Sequence, residues 1–184
     1  IETIGAGEQK VTLNVKDGVV ETVTVDMGEP ILSGLQIPVA IDAEQVISEP
    51  IEADGTEFNF TAVSMGNPHC VIYVEDAVTF DLAKWGPKLE VHPLFPRKIN
   101  VEFATVLNRN RVDMRVWERG AGPTLACGTG ACATLVSSVL NGLTDRAAWI
   151  SLKGGELYIE WNQEDNHVYM TGPAEVVFTG HVTL

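Results

Sequence analysis

The chain has 184 residues, 45% hydrophobic and 20% charged, which is enough for one well-packed core or two small domains. Its 12 basic and 25 acidic residues leave a formal charge of −13, a field that repels nucleic acid and anionic membranes. No apolar run approaches a membrane span and no charged-then-apolar leader opens the chain, so a cytoplasmic protein is expected, or a plastid-stromal one if a targeting segment was removed.

The sequence opens on Ile1 rather than Met and runs almost at once into strand-like residues, which reads as the trimmed start of a longer polypeptide. Alternating or β-branched runs predict strands at Val11 to Val15 and Val19 to Val25, around the turn Lys16-Asp17-Gly18. The stretch Gly28 to Pro50, rich in Pro and Ile, reads as an irregular connector, followed by the turn Glu52-Ala53-Asp54-Gly55. Further strands are predicted at Phe58 to Ser64 and Cys70 to Val74, and a helix at Asp81 to Leu89 that Gly86-Pro87 weakens. Strands follow at Val101 to Leu107 and Val112 to Trp117. The run Gly130 to Leu140, GACATLVSSVL, is apolar on nearly every side and predicts a helix wrapped by protein rather than laid on a surface. The chain ends in strand candidates at Ala148 to Leu152, Glu156 to Trp161, His167 to Met170 and Ala174 to Phe178. Many strands around one apolar helix imply an α+β fold, a β-barrel-like curled sheet enclosing that helix. Gly5-Ala6-Gly7 and Gly120-Ala121-Gly122 lack the full glycine spacing of a dinucleotide fingerprint, and no Walker motif is present.

Three cysteines, Cys70, Cys127 and Cys132, cannot all pair within one chain, and their spacing fits no zinc ribbon or finger. Cys70 and Cys132 lie in apolar runs and read as packing residues. Cys127 stands with Gly128 and Thr129 at the N-terminus of the apolar helix. There unpaired backbone N–H groups and the positive dipole end favour an anion, a carboxylate or a phosphate. The same field favours thiolate over thiol, so Cys127 is expected to be unusually acidic; the alternative is a small residue packing a turn. Asn67 and His69 share a tight turn between two strands, and each has a structural alternative as turn former or hydrogen-bonded histidine. Asn100 stands before a strand. Glu118 and Arg119 end one, either as a solvated pair or as groups that grip an ammonium and a carboxylate. Together these side chains suit a zwitterionic ligand.

The runs Met65-Gly66-Asn67-Pro68-His69, Glu118-Arg119-Gly120-Ala121-Gly122 and Leu125-Ala126-Cys127-Gly128-Thr129-Gly130-Ala131-Cys132-Ala133 closely resemble the diaminopimelate epimerase family. Asn100 with its flanks and Tyr169-Met170-Thr171-Gly172-Pro173-Ala174 fit the same pattern. The resemblance implies a cofactor-independent enzyme that interconverts LL- and meso-diaminopimelate on the lysine pathway, built as two similar domains, each a barrel around a helix. It implies that residues 28–172 form the C-terminal domain, that 1–27 are a remnant of the N-terminal one, and that 173–184 are a terminal strand returning to it. Cys127 would be one of two cysteines facing opposite sides of the substrate's α-carbon. The amides of Gly128 and Thr129 would bind the carboxylate at the reacting centre, and Asn67, Asn100, Glu118 and Arg119 would hold the distal end. His69 and Glu118 would also influence catalysis.

The family's other catalytic cysteine belongs to a preceding N-terminal half, and neither Cys70 nor Cys132 sits in the motif that half would carry. The expected partner is therefore that missing half, the fragment alone is expected to be inactive, and a homodimer is left open. The rival readings are a related amino-acid racemase or isomerase, a cysteine hydrolase or acyltransferase using Cys127 with His69, and an inactive substrate-binding fragment.

Overall fold

A computed structural model describes residues 2–3, 7–8, 11–176 and 178–181. A two-residue ladder joins β1 (Glu2–Thr3) and β2 (Gly7–Glu8). The remaining strands form one mixed sheet: β3 (Val11–Lys16), β4 (Val19–Asp26), β5 (Glu49–Ala53), β6 (Thr56–Ser64), β7 (Pro68–Tyr73), β8 (Asn100–Asn108), β9 (Arg111–Glu118), β10 (Gly122–Pro123), β11 (Ala147–Leu152), β12 (Gly155–Trp161) and β13 (Val168–Pro173). Their spatial order is β3-β4-β13-β12-β11-β9-β8-β7-β6-β5, with β10 paired to β9 alone. Two parallel pairs interrupt the antiparallel pattern. Helix α1 (Leu82–Glu90) connects β7 to β8, and helix α2 (Gly128–Leu140) lies between β9 and β11. Parallel neighbours need such crossovers, because a short turn cannot return the chain to the same end.

The sheet curls around α2. A helix about 10 Å wide covers two or three strands of a flat sheet, yet α2 packs against β6, β7, β8, β9, β11, β12 and β13. The linker after β4 completes the ring. Met27 N–H donates to Val168 O and Gly28 O accepts from Val168 N–H, while Ile31 exchanges both backbone hydrogen bonds with Ser64 of β6, each 2.9 Å long. The expected α+β curled sheet around a central apolar helix is therefore the observed fold.

Strand alternation divides the core in two. On β6, β7 and β8, Phe60, Ala62, Cys70, Ile72, Val101 and Phe103 face outward, onto α1 and the 37–53 segment. Val63, Val71 and Ala104 face inward, onto α2. Residues 130–138 of α2 are all buried, so its uniform apolarity matches its surroundings. Leu135 and Val136, both fully buried, each contribute about 1.5–3 kcal/mol through burial. On the outer face α1 tolerates Pro87 within it, and Gly86 permits its close approach to β9: a Cβ there would stand 2.5 Å from the Trp117 indole.

Three expectations need correction. The connector Gly28 to Pro50 ends in an unpredicted strand, β5, whose alternation buries Ile51 and Ala53. Asp54 and Gly55, both at positive φ, form the two-residue turn joining it to β6, and Pro50 is tolerated because β5 lies at the sheet edge. The Gly122–Pro123 strand was also unpredicted. Finally, residues 174–176 and 178 of the predicted strand Ala174 to Phe178 are not in a strand, and Val177 lies outside the described residues, as do 182–184. Among the described residues no helix is long and apolar enough to cross a membrane.

The junction between β4 and β13 is pH-sensitive. His167 Nδ1 lies 2.8 Å from Asp26 Oδ1, and this hydrogen bond, reinforced by the Asp26 charge, raises His167 above its ordinary 6.5. A raised value means the folded protein holds the proton more tightly. The pair's stabilisation is thus complete below 6.5 and is lost as pH rises through the higher folded value. Thermal melts of the parent and His167→Gln should differ most below pH 6.5 and converge as pH rises through the higher folded value.

Candidate active site

Cys127 is the N-cap of α2, in extended conformation. Its Sγ accepts from Gly130 N–H at 3.4 Å and lies 3.5 Å from Thr129 Oγ1, while its carbonyl accepts Ala131 N–H at 2.9 Å. The N–H groups of Gly128 and Thr129 are first-turn donors, for which the helix itself has no acceptors. They are the part of the helix end open to an anion. Met170 of β13 closes over this turn: a Cβ on Gly128 would stand 3.0 Å from its sulfur.

The expected acidity of Cys127 is not found. The side chain is 8% exposed, and burial, followed by the negative charge of Glu102, raises the thiol to about 11, against weaker lowering by Thr129 and Gly130. Helix-end donors are outweighed because removing a thiolate from water next to a carboxylate disfavours the charged form twice. Cys127 rests as a thiol. Cys70 and Cys132 are fully buried and also raised, and all three cysteines are unpaired. Cys70 faces the outer core, on the opposite side of the sheet from α2.

Asn67, His69, Asn100, Glu118 and Arg119 converge at neighbouring strand ends. Register sets His69 opposite Asn100 in the parallel β7–β8 pair. Asn100, 4% exposed, donates through Nδ2 to Pro68 O at 2.8 Å and accepts Arg119 N–H at 2.9 Å on Oδ1. It thereby ties together the two loops bearing Asn67 and Glu118-Arg119. Glu118 is half-buried and accepts the Thr124 hydroxyl, while Arg119 is exposed and donates from Nη1 to Arg97 O at 3.1 Å. His69 is wholly buried, with Nδ1 2.7 Å from Glu102 Oε1 and Nε2 3.0 Å from Asn67 Oδ1. Its ring therefore stands behind Asn67. Since Cys127 bonds Thr129 and Gly130 instead, the geometry contains no Cys127–His69 dyad of the kind a cysteine hydrolase uses.

Sequence reading missed two carboxylates. Glu90, at the end of α1, accepts Trp117 Nε1–H at 2.8 Å and Gly120 N–H at 3.1 Å, anchoring the turn that carries Glu118 and Arg119. Glu102 is fully buried beside Cys127. The signal for Glu102 was period two: in Asn100-Val101-Glu102-Phe103-Ala104 it shares the inward face with Ala104. Among the described residues no group of His, Cys, Asp and Glu has the arrangement of a metal site.

Residues 61–177 match the family model described as diaminopimelate epimerase. The chain is 59% identical over its whole length to the diaminopimelate epimerase of Acetivibrio thermocellus, covering 65% of that protein. It is 53% identical over its whole length to that of Methanococcus maripaludis, covering 66%. The chain thus spans just under two thirds of the curated relatives it matches. A probable proline racemase from Agrobacterium radiobacter K84 shares the fold, with a TM-score of 0.67 at 16% identity, over 97% of this chain and 58% of its own. So does a hydroxyproline epimerase from Agrobacterium vitis, with a TM-score of 0.66 at 17% identity, over 91% of this chain and 54% of its own. With identity at this level along its full length and its Cys127 and Asn67-Pro68-His69 motifs assembled around one helix end, the chain belongs to the diaminopimelate epimerase family.

Proposed function

We propose that these 184 residues carry one side of the active site of an enzyme that interconverts LL- and meso-diaminopimelate without a cofactor, as part of lysine biosynthesis in the cytoplasm. Family membership supports the substrate, and three unpaired thiols suit a reducing compartment. The observation that carries the reading is Cys127 capping α2 beside the open Gly128 and Thr129 amides. A substrate carboxylate on those two N–H groups brings its α-carbon next to the thiol. Asn67, Glu118 and Arg119, at the rim, are placed to hold the distal amino-acid end.

The chemistry is proton exchange at carbon. A thiolate opposite Cys127 removes the α-proton, the electron pair of the broken C–H bond is left on the α-carbon and its carboxylate, and Cys127 S–H delivers a proton to the other face. The carboxylate's growing charge is met by the helix-end donors, which are preorganised for it. The opposing thiolate cannot be Cys70 or Cys132, both fully buried, and would come from the part of the longer relatives that this chain does not cover.

The test is turnover of LL-diaminopimelate by the complete protein in deuterated water. The meso product should carry one deuterium at the inverted α-carbon. Product without label, or an acyl adduct on Cys127 in place of product, would sink the reading.

A further inference from the structure

Glu102 has no part in the scheme above, yet it is fully buried on the inward face of β8. Its Oε1 lies 2.7 Å from His69 Nδ1, and its Oε2 has no hydrogen-bond partner. An unsatisfied buried polar atom is destabilising, more so when charged, so the site carries a cost that an apolar residue would avoid. The carboxylate also shares a space with Cys127. A Cβ on Gly130 would stand 2.8 Å from Glu102 Oε1 and 3.2 Å from Cys127 Sγ. Oxygen and sulfur are therefore within about 6 Å, the range in which like charges interact strongly. Glycine at 130 keeps that space open.

We propose that Glu102 is a positioning residue for the reaction proposed above: it fixes the ring of His69, and through it the Asn67 amide, and it holds the proton on Cys127 in the resting protein. The inference rests on that reaction for its catalytic meaning, but its electrostatic content is independent of turnover. The groups facing Cys127 are Glu102 from β8, Glu118 from β9, and the Thr129 hydroxyl and Gly130 N–H from α2, with Cys132 further along that helix and His69 of β7 behind Glu102. Burial and the two carboxylates favour the thiol, and the Thr129 and Gly130 hydrogen bonds oppose them. Glu102 is the larger of the two charge effects. The consequence is a resting state in which Cys127 carries its proton and is ready to donate it.

The experiment is alkylation of Cys127 by iodoacetamide across pH, read by peptide mass on the complete protein, in the parent, Glu102→Gln and Glu102→Asp. The parent should react slowly at neutral pH, with a midpoint well above that of free cysteine. Glu102→Gln should react about tenfold faster near pH 8, the effect of a one-unit fall in the thiol's pKa. Glu102→Asp keeps the charge and should stay close to the parent. In turnover, Glu102→Gln should lower kcat more than it raises KM. Equal alkylation rates in the parent and a folded Glu102→Gln would overturn the proposal, as would a parent midpoint at or below that of free cysteine, a result that needs no variant to fold. Faster alkylation in a protein that does not epimerise would retain the Glu102 effect and reject the reaction. Turnover with unchanged alkylation would do the reverse.

Discussion

Cys127→Ser in the complete protein should lose epimerisation by about 10³-fold, within the span attributed to a positioned acid or base. A serine hydroxyl neither gives nor takes a proton at the α-carbon with a thiol's ease. The variant separates chemistry from folding, because serine is a favoured N-cap and its oxygen can take over the Gly130 N–H that the sulfur accepts. The expected result is therefore a protein with an unchanged melting temperature and almost no turnover, read by melts and the deuterium assay on one preparation. Retained activity would remove Cys127 from the mechanism. Loss of activity together with loss of the folded state would show that the cap, rather than the proton, was being measured.

Asn100→Ala should have the largest effect on stability. Asn100 is the only side chain hydrogen-bonded to both the Pro68 carbonyl and the Arg119 amide among the described residues, and it is 4% exposed. Truncation leaves two backbone groups unpaired at about 1–3 kcal/mol each. At about 2–4 °C per kcal/mol for a chain of this size, the melting temperature should fall by roughly 5–20 °C. Asn100→Asp keeps the acceptor for Arg119 N–H but sets a carboxylate oxygen against Pro68 O in a nearly dry site, so its melting temperature should also fall, and further once the carboxyl ionises. KM should rise in both, since the loops holding Asn67 and Glu118-Arg119 lose their common tie. A stable Asn100→Ala variant with the parent's KM would show that the loops are held elsewhere.

The pattern of elements was legible because it is written locally. The all-round apolarity of GACATLVSSVL predicts an enclosed helix, and α2 is enclosed. Alternation located the longer strands to within a few residues. β5 escaped because Pro50 and two glutamates mask its alternation, and because its partner β6 and its edge position supply what its composition lacks. Spacing alone also set Cys127, Gly128 and Thr129 at the N-terminus of that helix, although it began the helix at Gly130, two residues late.

The charge state of Cys127 was not legible. The helix-end donors that favour a thiolate are neighbours in sequence, but Glu102, which opposes them, is 25 positions away and approaches only when β8 curls against α2. His69 shows the same division. Its place in a turn of the Asn67-Pro68-His69 motif is local, whereas its burial and its bond to Glu102 depend on the parallel register of β7 with β8. The sequence by itself determined the helix, most of the strands and the inventory of polar groups near the helix end, since these follow from periodicity and backbone chemistry over short spans. Only the tertiary structure decided which of those groups meet, how far water is excluded, and on which atom a proton rests, because Coulomb and desolvation energies depend on distance through space and not along the chain.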